Sequence, residues 1–339
     1  MKKTFFVVHD PGGYQAVMPV IEKFINNGVT TFVFCCVGPA AILNPQFALS
    51  EDEVFNILKS LISSDQISCL VTATSWGNEL EVKVIQTGKR SSIHTISILD
   101  YWSNYKQRFV LGDEYIFPDE LLIMDELAHS EAIADGVPAE ILKIKGQPAL
   151  DHLIWVRDRI VSSSEKSNKN QLLLLSQPLS LLYNNMGYTE ETVIEDCFRA
   201  MQLLPQFKLD IKFHPKDRPC LQGRYAANAV EGDLTEVLPN YDLVIGMSSI
   251  AMLHAVLLGI PTISYQPNLL VSDSSITNKL QLTPLFTTYL EFFQYLKSFS
   301  ASETQSNLDA VLSKQVWGDG NSGLRIFWHI REVAAKYEH

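Results

Sequence analysis

Two successive runs of alternating strand-like and helix-like segments, separated by one polar stretch, constrain this chain more than any other feature. The first run opens with Thr4 to Val8, a short apolar segment that runs into a Gly12-Gly13 turn. From Tyr14 to Asn27 the apolar residues Val17, Ile21, Phe24 and Ile25 recur at helical spacing, and Asn27-Gly28 ends that helix. Thr30 to Cys36 reads as the next strand, followed by strands over Cys69 to Thr74, His94 to Leu99, Leu121 to Met124 and Ile141 to Ile144. Helices over Glu51 to Ser63 and Ser130 to Asp135 fall between them. Continuously apolar strands bounded by helices indicate a parallel sheet covered on both faces.

Ser162 to Asn170 is polar and poor in large apolar side chains, which makes residues 161–171 the expected linker. The pattern then restarts. Leu172 to Leu175, Leu209 to Phe213, Leu243 to Ile245 and Thr262 to Tyr265 read as strands, with helices over Thr189 to Leu204 and Ile250 to Leu258. A last helix over Gly323 to Tyr337 carries Ile326, Ile330 and Val333 on one face. The expected organisation is an α/β domain over 1–160, a second over 172–315, and a closing helix within 316–339 that packs back on the first domain.

A length of 339 residues suits two cores better than one. Hydrophobic residues make up 46% and charged residues 19%, an ordinary globular balance. No apolar run approaches the roughly 18–20 residues that span a bilayer. The opening Met1-Lys2-Lys3 and its apolar continuation break at His9-Asp10-Pro11, too early for a signal peptide, so a cytoplasmic protein is expected. A net charge of −11 argues against duplex nucleic acid as a partner, though a helix N-terminus and a few basic side chains suffice for a nucleotide phosphate. Cys35, Cys36, Cys69, Cys197 and Cys220 have no paired spacing and read as thiols in a reducing compartment. Asp125, Glu126 and Asp273 read as solvated acids, and no metal site or cofactor is expected.

The sharpest local signal runs from Asp242 to Tyr265: a strand, a tight turn at Gly246, a helix, a glycine-capped helix end at Gly259, and another strand. Ser248 and Ser249 sit where the helix begins, so their hydroxyls and nearby N–H groups either bind an anion or one serine simply caps the helix. A second signal is His214-Pro215, just beyond a strand, with Lys212 and Lys216 beside it. Proline stops the strand and presents the imidazole at the carboxyl edge, where open parallel sheets bind ligands. Ser176-Gln177-Pro178 follows the first strand of this domain and is a further candidate for approaching phosphates.

The His-Pro element, the Ser-Ser element and the Leu257-to-Ser264 run resemble the carboxyl-terminal domain of bacterial nucleotide-sugar glycosyltransferases of the GT-B type. The likeness is to sialyltransferases, Kdo-type transferases and capsule or teichoic-acid polymer transferases. It covers about Lys208 to Tyr265 in motif, and the rest of the chain in architecture only. The resemblance implies an α/β fold of two Rossmann-like domains whose parallel sheets face a central cleft. It further implies nucleotide or phosphate contacts from His214, Pro215, Ser248 and Ser249, an activated donor that is often a CMP-sugar, and catalysis without a bound metal. The chain departs from the pattern at His254, which stands where many such proteins carry a ribose-binding glutamate; a packed histidine is the other reading there.

In that family the loop after the first strand faces the cleft and often supplies the catalytic base. Here it is His9-Asp10-Pro11-Gly12-Gly13, with Asp10 the expected base, His9 beside it, and Gly12 and Gly13 allowing close backbone approach; a plain Asp-Pro-Gly turn is the alternative. Asp100, Trp102 and Arg108 follow a buried strand, and aromatic rings beside polar groups suit sugar binding, although such clusters also build cores. Thr74 to Glu79 either caps a helix or lines the cleft, and Gly146-Gln147-Pro148 reads as structural. The leading expectation is an inverting glycosyltransferase acting on a glycan or polymer acceptor in surface polysaccharide synthesis. Its rivals are an isomerase like UDP-N-acetylglucosamine 2-epimerase and a non-catalytic binding or assembly subunit. A nicotinamide dehydrogenase is disfavoured because no GxGxxG follows a strand. The oligomeric state is left open.

Overall fold

The computed structural model describes residues 1–163, 170–183, 185–299 and 311–337. The chain divides into two compact units, one formed by Met1–His152 with Leu312–His339 and the other by Leu153–Val311.

The first unit is built on a six-stranded parallel sheet, β1 Lys3–Val8, β2 Phe32–Cys36, β3 Ile67–Thr72, β4 Thr95–Ile98, β7 Glu120–Ile123 and β8 Leu142–Ile144, in the order β2-β1-β3-β4-β7-β8. Between β4 and β7 lies a small antiparallel ribbon, β5 Val110–Leu111 with β6 Glu114–Tyr115. One face is covered by helix Pro11–Asn26, which buries Ala16, Val17, Val20, Ile21 and Phe24, and by helix Ser322–Lys336, which buries Ile326, Phe327, Ile330 and Val333. The rings of Phe24 and Phe327 meet edge to face at 5.0 Å. On the other face, helix Glu51–Ser63 starts from a complete Ser50/Glu53 capping box and packs Val54, Leu58 and Leu61 beside Leu80 and Val84.

The C-terminal segment is held to this unit by two buried carboxylates. Asp151 accepts the N–H groups of Ser322 and Gly323 at 3.0 and 2.7 Å, at the start of the last helix. Asp125 Oδ2 accepts both indole N–H groups of Trp102 and Trp317, at 2.9 and 3.0 Å, while its Oδ1 caps helix Glu126–Ala134.

The second unit has a five-stranded parallel sheet, β9 Gln171–Leu175, β10 Lys208–Lys212, β11 Leu243–Gly246, β12 Thr262–Tyr265 and β13 Leu285–Phe286, in the order β10-β9-β11-β12-β13. Helices Glu190–Leu203, Ile250–Leu257 and Tyr289–Ser298 accompany it, and Tyr265 stacks on Phe292 at 4.1 Å. In both sheets the chain moves outward by one strand and then returns past its starting strand. That reversal puts a topological switch point between β1 and β3 in the first unit, and between β9 and β11 in the second.

Several expectations need correction. Asp125 is 2% exposed and fully bonded rather than solvated. Asp273 accepts from Gln266, Ser275 and Asn278. The helix expected from Ser130 begins at Glu126, because Asp125 caps it. Helices Leu80–Arg90 and Tyr289–Ser298 and strand β13 were not expected at all. Of the expected linker 161–171, residues 164–169 lie outside the described residues; helix Asp151–Ser163 runs into its start and Gln171 opens β9. Among the described residues no helix is long and apolar enough to cross a membrane.

Candidate functional site

The switch point of the second unit lies between the ends of β9 and β11. Beyond β9, Gln177 turns its side chain toward β11: its Oε1 accepts the backbone N–H of Ser248 at 2.8 Å, and its amide nitrogen lies 3.4 Å from Ser248 Oγ. Ser249 is the N-cap of helix Ile250–Leu257, its Oγ accepting from the Ala251 N–H at 3.2 Å. The two serines therefore divide the work, Ser249 capping the helix and Ser248 tied to Gln177.

His214 stands beyond β10, on the other side of β9. Its Nδ1 accepts the backbone N–H of Lys216 at 3.0 Å. A backbone N–H only donates, so Nδ1 bears no proton and the neutral ring carries its proton on Nε2. The loop is stapled by Asp217, whose Oδ2 takes the His214 N–H at 2.7 Å. Burial pushes the Asp217 carboxyl above the usual range. The buried Ser176 hydroxyl lies against this carboxyl and opposes the rise. Pro215 and Lys216 are exposed. The edge thus offers an imidazole N–H donor, a hydroxyl and the start of a helix, a set suited to an anion. His254 lies further along that helix, where burial lowers it below the ordinary histidine range and Asp233 opposes the shift.

In the first unit the switch point gathers the ends of β1, β3 and β4. Asp10 occupies the N-cap position of helix Pro11–Asn26 but makes no side-chain cap bond. Its carboxylate is drawn off the helix instead: Oδ1 lies 2.7 Å from His9 Nδ1, and Oδ2 accepts the Trp76 N–H at 3.0 Å. His9 Nε2 faces the side-chain nitrogen of Asn78 at 3.1 Å. The His9 and Asp10 side chains are 17% and 25% exposed.

Asp100, by contrast, is committed. Its Oδ1 accepts from Arg108 at 2.6 Å and from the Thr74 hydroxyl at 2.8 Å, and Gln147 donates to its carbonyl at 2.7 Å. Arg108 is 7% exposed and also donates to the Ser103 carbonyl.

The structure corrects two readings of this edge. Gly12 and Gly13 form the first turn of the helix rather than an open loop, and a Cβ on them would come within 2.5 Å of Asp100 Oδ2 and of Ala73 Cβ respectively. Close helix packing requires them. Trp102 is 4% exposed and bonded to Asp125, so it has no free face for a sugar; the open ring at this edge is Trp76, at 58%.

Two residues here carried no sequence signal. Gly38 has φ +56°, and a Cβ on it would meet His9 Nε2 at 2.4 Å. Glu81 is 2% exposed; its Oε1 accepts the His9 N–H at 3.0 Å and the Ser75 hydroxyl at 2.7 Å. Burial raises its carboxyl above the usual range. A glutamate at the start of an apolar helix reads as a surface residue until the sheet edge above it is known.

No family model and no curated protein sequence matches the chain. Solved structures do. The UDP-GlcNAc 2-epimerase of Methanocaldococcus jannaschii superposes with a TM-score of 0.67 at 13% identity, over 97% of this chain and 99% of that one. The UDP-GlcNAc 2-epimerase of Neisseria meningitidis gives 0.62 at 13% identity, over 97% and 100%. The wall teichoic acid polymerase TagF gives 0.59 at 15% identity, over 99% and 90%. The chain has an α/β fold of the GT-B type, shared with epimerases and with a polymerase.

Proposed function

We propose that this chain is a nucleotide-sugar-dependent glycosyltransferase that inverts the donor's anomeric centre and acts on a glycan or other hydroxyl-bearing polymer. The observation that carries the reading is the Nε2–H tautomer of His214, at the end of β10, on the same sheet edge as the Gln177–Ser248 pair and the start of helix Ile250–Leu257. A neutral donor and a helix terminus stabilise phosphate charge as it develops on the leaving group. Ser249, Lys216, Pro215, Ser176 and Gln177 complete this donor set. In the transfer, Asp10 takes the acceptor hydroxyl proton as its oxygen bonds to the anomeric carbon. The bond from that carbon to phosphate breaks, and its electron pair leaves with the nucleotide.

The second reading is an epimerase, favoured by the full-length likeness to two UDP-GlcNAc 2-epimerases. Against it, the first unit's edge leaves few acids for proton shuffling on a sugar: Asp100 is paired with Arg108 and Glu81 is buried.

The test is thermal melting with CMP, CDP, UDP, GDP and their sugar conjugates, with His214→Ala alongside. A nucleotide at about 100 times its Kd adds about 2.7 kcal/mol of stability. Selective stabilisation lost in the variant, with EDTA-insensitive transfer from that donor, is expected. Conversion of UDP-GlcNAc to its 2-epimer would replace the transferase reading with the isomerase, and binding without turnover would replace it with an assembly subunit.

A further inference from the structure

The first unit's edge contains a chain of hydrogen bonds whose polarity can be read from one end. The Leu80 N–H, at the start of helix Leu80–Arg90, donates to Asn78 Oδ1 at 2.7 Å. A backbone N–H cannot accept, so the amide oxygen must face it and the amide NH2 must face the other way. That NH2 lies 3.1 Å from His9 Nε2. Since the NH2 only donates, Nε2 accepts and carries no proton. The single ring proton then sits on Nδ1 and is donated to Asp10 Oδ1 at 2.7 Å. The far carboxylate oxygen is held by the Trp76 N–H.

The surroundings permit little rearrangement. Glu81 fixes the His9 backbone N–H, and Gly38 brings its backbone so close to the ring that a Cβ would lie 2.4 Å from Nε2.

We propose that Asn78 is a positioning residue that locks His9 as a neutral ring with its proton on Nδ1, and so makes Asp10 the group that takes a proton at this edge. His9 cannot serve, because its only lone pair is bound by Asn78. Asp10 keeps spare lone pairs on a carboxylate one-quarter exposed. The inference rests on the transferase reading only for the source of the proton.

The ring can be read directly by 15N NMR of the histidine-labelled full chain. The sequence has eight histidines, and a His9→Gln variant identifies the signal. At about pH 8 the wild-type ring is expected to show a protonated Nδ1 and an unprotonated Nε2. Asn78→Asp places an acceptor opposite Nε2, so both nitrogens should then be protonated at the same pH. In that variant kcat for transfer should fall by about tenfold or more while the donor KM holds. A protonated Nε2 in the wild type overturns the proposal whether or not any variant folds, and so does Asn78→Asp with an unchanged ring and kcat. A wild-type Nδ1–H ring in a chain without transfer activity sustains the lock and removes the transferase reading; transfer activity with an Nε2–H ring does the reverse.

Discussion

Gln177 accepts the backbone N–H of Ser248 on its side-chain oxygen at 2.8 Å, joining the ends of β9 and β11 across the switch point of the second sheet. The bond holds the turn in front of helix Ile250–Leu257 in one conformation, with Ser249 free to cap it. Gln177→Ala should leave the unliganded protein within about 1 kcal/mol of wild type, since the side chain is only half-buried. Nucleotide affinity should fall by about tenfold, because the site must then be ordered on binding. Isothermal titration with the nucleotide that stabilises the wild type decides it; equal affinity would remove Gln177 from the donor site.

Trp76 is 58% exposed, and its own backbone N–H holds the Asp10 carboxylate. An indole in that position can cover the apolar face of a sugar whose hydroxyl meets Asp10. Trp76→Ala is therefore expected to raise the acceptor KM by roughly tenfold, with little change in donor KM. Trp102→Phe is the contrast. It removes one donor from buried Asp125, so it should lower the melting temperature without moving the acceptor KM.

Glu120 opens β7 and is gripped from two sides, by His329 of the C-terminal helix at 2.6 Å and by His94 at 3.1 Å. The His329 and His94 bonds hold its carboxyl well below the usual range, outweighing the effect of burial. A carboxyl lowered in the folded state contributes stability above its unfolded value of about 4.3, and that contribution is lost as pH falls toward the folded value. Between neutral pH and about pH 3 the wild type should therefore lose more stability than Glu120→Gln. Melting curves across that range are the check, and parallel curves would mean that the clamp contributes nothing.

The strands were legible because parallel strands buried on both faces are continuously apolar, as in Leu172 to Leu175, and the turns carried glycine and proline. The same logic located the edge residues: His9, Asp10 and Ser248 follow strands that flank a switch point, and His214 follows the edge strand β10 next to one of them. What a side chain does there depends on partners distant in sequence. Trp102 looked like a sugar platform until Asp125 and Trp317 closed over it. Glu81 lies 72 positions from the backbone it holds. In helix Leu80–Arg90 the apolar pattern is interrupted by Gly88, a glycine needed where a Cβ would come within 2.6 Å of Leu70 and 2.7 Å of Thr95.

Glu81 gives a test whose sign is the reverse of that for Glu120. Its Oε1 takes two hydrogen bonds, but Oε2 is buried with none among the described residues, and burial raises the carboxyl. A carboxyl raised in the folded state contributes stability that is fully present below its unfolded value of about 4.3 and is lost as pH rises through the folded value. Glu81→Gln keeps an acceptor for His9 and Ser75 and cannot ionise. The variant should therefore gain on the wild type as pH rises from about 5 to about 8. Urea unfolding at the two pH values measures the difference. A gap independent of pH would mean that Glu81 does not change its ionisation across that interval, and the orphaned oxygen would then need a partner at all pH values.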